Sequence, residues 1–131
     1  MPSTPVSRPK RILVVDDNHA HCYALAKRLT KQGFQVRQAF DGYSALRGSR
    51  GYPDLIMMDI NMPGINGFEV CRRLKQDPTS AHIPVILFSA TVDVEASRPL
   101  AREVGGVDLF PTAETSNLVP LIQSLISTAT Q

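Results

Sequence analysis

With 131 residues, the chain can bury the core of one domain but not of two. It is 43% hydrophobic and 20% charged, and its net charge of +2 comes partly from Arg8, Lys10 and Arg11; with no basic stripe interleaved with aromatics, this argues against nucleic-acid binding. No stretch has the length and apolarity of a membrane span, and Met1–Lys10 lacks the apolar centre of a signal peptide, so a cytoplasmic protein is expected.

Residues 1–10, rich in Pro, Ser and Thr, read as a disordered leader, with a single domain over 11–128. Strand patterns then alternate with helix patterns. Short apolar runs predict strands over 11–15, 34–39, 54–58, 84–88 and 107–110. After the first, Cys22, Leu25, Ala26 and Leu29 recur at helical spacing, and Gly33 is a suitable stop. A weaker helix over 43–50 contains Gly48, and a third over 68–76 follows Asn66-Gly67. A fourth spans 92–104, where Pro99 is expected to kink or interrupt it. In the last, Leu118, Leu121, Ile122, Leu125 and Ile126 form one stripe, with Pro120 in the first turn. Five strands alternating with five helices predict an α/β fold, a (βα)5 unit with right-handed crossovers. Cys22 and Cys71 fit no zinc or redox spacing and are expected to be buried free thiols.

Carboxylates close two of these runs. Ile12-Leu13-Val14-Val15 ends in Asp16-Asp17, and Leu55-Ile56-Met57-Met58 ends in Asp59 before a loop rich in Pro, Gly and Asn. The C-terminal ends of strands are where open α/β sheets place ligands. Three carboxylates at one sheet edge repel one another unless protons or a cation neutralise them. The pattern therefore implies a hard divalent metal, with Asp59 best placed as a nucleophile.

Residues 11 to about 127 resemble the receiver domain of bacterial two-component response regulators. The resemblance rests on Asp16-Asp17, on Asp59-x-x-Met62-Pro63-x-x-Asn66-Gly67, on Asp41-Gly42-x-x-Ala45-Leu46, on Ile83-Pro84-Val85-Ile86 and on Ser89-Ala90, in order. It implies a flavodoxin-like doubly wound sheet, five parallel strands in the order 2-1-3-4-5 with helices on both faces. It also implies a phosphoacceptor rather than an enzyme: Asp59 would take a phosphoryl group from a histidine kinase or histidine phosphotransfer protein. Mg2+ (or Mn2+) would be held by Asp16, Asp17, Asp59 and the backbone carbonyl of Asn61, with Asp16 acting partly through water. Ser89 would contact the phosphoryl group, and Ala90 would leave room for it. Dimerisation through helix 4, strand 5 and helix 5 is a further expectation. Asn61 and Thr91 would flank the path of attacking water and influence the lifetime of the phosphoryl group; slow autodephosphorylation is a separate expectation.

One departure from the family pattern stands out. The lysine expected at the end of strand 5 is missing, and no lysine occurs after Lys75. Thr112 takes its place in an ungapped alignment, and Ala113 after a slip of one residue; the switch aromatic correspondingly becomes Leu109 or Phe110. A lost charged contact to phosphate removes about 1.5–3 kcal/mol. The alternative is therefore a degenerate receiver that serves as a phosphorylation-independent interaction module. An aspartyl-phosphate phosphatase is disfavoured, because Asn61 stands where its second Asp would be; a dinucleotide-binding role lacks Gly-x-Gly-x-x-Gly. His19, His21 and His82 are expected to be solvated, with His19 nearest the rim of the site. Arg98 and Arg102 belong to the fourth helix and are not expected to reach the phosphoryl group.

Overall fold

Alternation along the chain decides which side of the sheet each residue serves. The computed structural model describes residues 8–126; most of the expected leader (1–7) and the end of the expected domain (127–128) lie outside the described residues. Five strands, β1 (Arg11–Val15), β2 (Gln35–Ala39), β3 (Leu55–Asp59), β4 (Val85–Ser89) and β5 (Asp108–Pro111), form one parallel sheet in the order 2-1-3-4-5. The helices between and after them are α1 (His19–Lys31), α2 (Gly42–Gly48), α3 (Gly67–Gln76), α4 (Val94–Glu103) and α5 (Val119–Ile126).

Two cores result, one on each face. Leu13, Val15, Ile56, Met58, Val85 and Leu87 pack with Ala45, Val70, Leu74 and Ala101 of α2, α3 and α4. Ile12, Val14, Leu55, Met57, Ile86 and Phe88 pack with Cys22, Leu25, Leu29 and Ile122 of α1 and α5. The central strands are buried on both faces and so read as continuous apolar runs, whereas edge strand β2 is mostly exposed. Truncating one of these buried aliphatic side chains to Ala costs about 2–5 kcal/mol. Both cysteines are buried and free, and burial pushes each thiol up to about 11.

The caps follow the sequence closely. Asn18, Asp41, Asn66 and Asp93 accept N–H bonds from His21, Ser44, Glu69 and Ala96 respectively, at the starts of α1 to α4. At the end of α1, Gly33 takes φ +97°; its N–H reaches Thr30 O and that of Phe34 reaches Leu29 O, a Schellman stop. Phe34 thereby belongs to the turn, and β2 begins at Gln35 instead of the expected residue 34.

Strands β3, β4 and β5 are displaced one residue toward the C-terminus relative to the expected runs. Asp54 caps the entry to β1 and β3, its carboxylate accepting Arg11 N–H at 2.8 Å, and Pro84 has no N–H for the ladder. Asp59 and Ser89 are consequently the last residues of their strands rather than the first of loops. α2 ends at Gly48 and passes into a 3-10 turn (Ser49–Gly51), shorter than the expected helix over 43–50. α4 runs without interruption through Pro99, contrary to a break there. The proline forfeits one bond, to the carbonyl of exposed Glu95, which water can serve. A 3-10 helix (Thr112–Asn117) that no sequence pattern announces links β5 to α5.

Candidate functional site

The ends of β1, β3 and β4 and the start of the 3-10 helix after β5 meet at one edge of the sheet. Parallel pairing sets Val15 beside Met58, Asp59 beside Phe88 and Ser89 beside Pro111, so residues distant in sequence finish level. A cleft of about 290 Å³ opens there among Asp16, Asp17, Asp59, Asn61, Thr91 and Thr112, with Ala90 also on its wall. Gly67 fixes one side. A Cβ at this position would lie 2.5 Å from the Asp59 carbonyl oxygen, so only glycine lets the start of α3 approach the Asp59 backbone. A larger cleft of about 470 Å³ lies between Arg11, Phe34, Arg37 and Pro53, and no carboxylate lines it.

The three carboxylates behave as one charged cluster. Oxygens of Asp16, Asp17 and Asp59 all lie within 4.8 Å of one another. Asp16 is only 3% exposed, Asp59 is half-buried and Asp17 faces solvent. Burial, assisted by the charges of Asp16 and Asp17, pushes Asp59 up to about 6, against the opposing bond from Asn61 N–H to its Oδ1 at 3.1 Å. An all-oxygen donor set of this density, in which a carboxylate is held protonated above its ordinary range, fits a hard divalent cation. Asp16, Asp17 and Asp59 are the side chains that would hold it.

The side chain of Asn61, considered from sequence only for its carbonyl, crosses to the neighbouring loop. Its Nδ2 donates to Ser89 Oγ at 2.9 Å and to Thr91 Oγ1 at 2.5 Å. Ser89 Oγ also accepts the N–H groups of Thr91 and Val92, at 3.2 and 3.1 Å. The hydroxyl is therefore engaged with its own loop, buried at the sheet edge.

At β5 the ungapped alignment matches the geometry. Thr112 lines the acidic cleft, whereas Ala113 faces an adjoining groove beside α1. Leu109 is fully buried in the α2–α4 core and Phe110 packs on the opposite face. Arg98 is spent on the α4–β5 surface, donating to Leu109 O at 3.1 Å and pairing with Glu95 and Asp108; Arg102 pairs with Asp108 at 3.2 Å. Neither arginine lines the cleft, in agreement with expectation.

Of the three histidines, one departs from expectation. His19 is exposed but stacks on Phe40, with ring centroids 3.8 Å apart. His21, expected to be solvated, donates from Nδ1 to Asp16 Oδ2 and lines the cleft. A signal for this existed: Asn18 is the N-cap, so His21 is the third helical residue, the position whose side chain folds back over the helix start in a capping box. His82 is exposed, as expected.

Fold and site together define a single-sheet α/β module with an acidic, metal-ready pocket at the carboxyl edge of its strands. The family model for the response regulator receiver domain matches residues 12–111, and the chain belongs to that family, the receivers of two-component signalling. It is 46% identical over 101 residues to the response regulator PleD of Caulobacter vibrioides, covering 76% of this chain but 22% of PleD. To the protein PilH of Pseudomonas aeruginosa it is 35% identical over 119 residues, covering 89% of this chain and 98% of PilH. Among solved structures, the signal receiver domain of a signal transduction histidine kinase from Syntrophus aciditrophicus superimposes with a TM-score of 0.80 at 30% identity, covering 91% of each chain. Receivers of this family accept phosphoryl groups and interact with histidine kinases or phosphotransfer proteins. No helix among the described residues is long and apolar enough to cross a membrane.

Proposed function

We propose that Asp59 is the phosphoacceptor of this receiver, and that it takes its phosphoryl group from a phosphohistidine on a kinase or phosphotransfer partner. The observation that carries this is the cluster of three carboxylates, with Asp59 at the last position of β3 facing the cleft. A carboxylate oxygen of Asp59 attacks phosphorus; the new O–P bond forms as the P–N bond breaks, and its electron pair returns to the imidazole nitrogen of the donor. Such a transfer needs in-line positioning and charge neutralisation more than proton chemistry. A divalent cation (Mg2+ or Mn2+) at Asp16, Asp17, Asp59 and the Asn61 carbonyl would supply that neutralisation.

The chain's own residues do the rest. Asn61 N–H orients the Asp59 carboxylate. Ser89 gives up its bonds from Asn61 and the loop amides to contact the phosphoryl oxygens, while Ala90 leaves the volume free. Thr112 contributes at most a neutral contact where a lysine would bring charge. Asn61 and Thr91 stand over the approach of hydrolytic water, giving slow loss of the group. Output would pass through α4, β5 and α5, as a homodimer or toward a partner, in the cytoplasm and without direct nucleic-acid contact. The test is the intact mass of the protein after incubation with Mg2+ and acetyl phosphate, beside Asp59→Asn. A phosphoryl increment in the wild type that vanishes in the variant is expected. No increment with either acetyl phosphate or a cognate phosphodonor would overturn the assignment and favour the phosphorylation-independent module.

A further inference from the structure

We infer that His21 is a positioning residue for the metal, holding the Asp16 carboxylate in place through its Nδ1–H. This rests on the assignment of the acidic cluster as a cation site. Asp16 is almost wholly buried, and both of its oxygens are engaged: Oδ1 accepts Asn18 N–H at 2.9 Å and Oδ2 accepts His21 Nδ1–H. The first of these bonds comes from backbone that any residue would provide. The second depends on a side chain, and among the described residues lining the cleft His21 is the only imidazole, with no Lys or Arg present. Two like charges lie close to Asp16, and repulsion from Asp17 and Asp59 would turn an untethered carboxylate away.

The ring is itself held. His21 is the third residue of α1 and its side chain is 28% exposed, tilted against the fully buried Phe88 with centroids 5.7 Å apart. Phe88 stands directly beside Asp59 in the sheet, so the imidazole links helix α1 to the strands that carry the acids. Outer partners that fix a ligating group change metal affinity by about 10–100-fold when removed.

Two substitutions separate the hydrogen bond from the packing. His21→Phe keeps a ring against Phe88 and removes the donor; His21→Asn removes the ring and keeps an N–H near the Nδ1 position. Metal-free full chain is titrated with Mn2+, following the paramagnetic resonance signal of the free ion, which reports binding without phosphorylation. The expected result is about 10–100-fold weaker binding in His21→Phe, with affinity largely restored in His21→Asn. Wild-type affinity in His21→Phe, or an equal loss in both variants, overturns the role of the N–H. A wild-type chain that takes up no Mn2+, tested beside Asp17→Asn, overturns the cation site itself and this inference with it.

Discussion

The two halves of the carboxyl edge are built on different principles. At β1 and β3 the edge is charged and crowded, with three carboxylates whose mutual repulsion only a cation or protons can relieve. At β4 and β5 it is neutral and hydroxylic: Ser89, Thr91 and Thr112, bridged in part by the Asn61 amide. On the proposed reading, the first half receives the phosphoryl group. The second, which on the proposed reading registers its arrival, has only uncharged donors, and Leu109 behind it is sealed in the core. On that reading capture and response are separable, and substitutions on each side should have different consequences.

The largest effects are expected on the charged half. Asp59→Asn removes the phosphoryl increment altogether, and Asp17→Asn abolishes its dependence on Mg2+ along with most of its rate, both read by intact mass. Should Asp17→Asn accept phosphate as the wild type does, the division of labour fails. On the neutral half, Thr112→Lys adds a charged contact worth about 1.5–3 kcal/mol to the phosphorylated form. The phosphorylated conformation should gain about 10–100-fold in population, seen in the amide NMR signals of Ser89 and Leu109, while the initial rate of phosphorylation stays nearly constant.

A smaller effect sharpens the same boundary. Asn61→Ala deletes the amide that ties Ser89 and Thr91 to β3. A hydrogen bond of this kind is worth about 0.5–1.5 kcal/mol, so exchange protection of the Thr91 and Val92 amides should fall by roughly 2–12-fold. Unchanged protection would mean that Ser89 holds the loop unaided.

Which parts of this edge were legible follows from how local they are. Asp16, Asp17 and Asp59 terminate apolar runs, and Ser89 follows another, so a strand-end argument reaches them from sequence alone. The choice between Thr112 and Ala113 needed the register that sets Ser89 against Pro111, because nothing within β5 fixes a slip of one residue. The side-chain bonds of Asn61 span 28 and 30 residues and exist only once β3 and β4 are neighbours. His21 fell between these cases. Its partner is five residues away, yet its placement depends on a side chain folding back from the first turn of α1, which periodicity does not encode. The 3-10 helix after β5 has no repeating apolar pattern to reveal it.

The smallest predicted effect bears on the charge imbalance directly. In the metal-free protein Asp59 is raised from 3.8 to about 6, chiefly by burial and then by its acidic neighbours. Between those two values the folded chain retains a proton that the unfolded chain has released. Stability must therefore fall as pH climbs through this window, and the penalty is fully present above about 6. Asn at this position has no proton to lose. With chelator present, the melting temperature of Asp59→Asn minus that of the wild type should grow from pH 4 to about pH 6.5 and then level off. Saturating Mg2+ should shrink the difference at pH 7, because the cation replaces the missing proton as the partner of the carboxylates. A difference independent of pH would mean that the acidic half is not under electrostatic load. The contrast with the neutral half would then be one of shape alone.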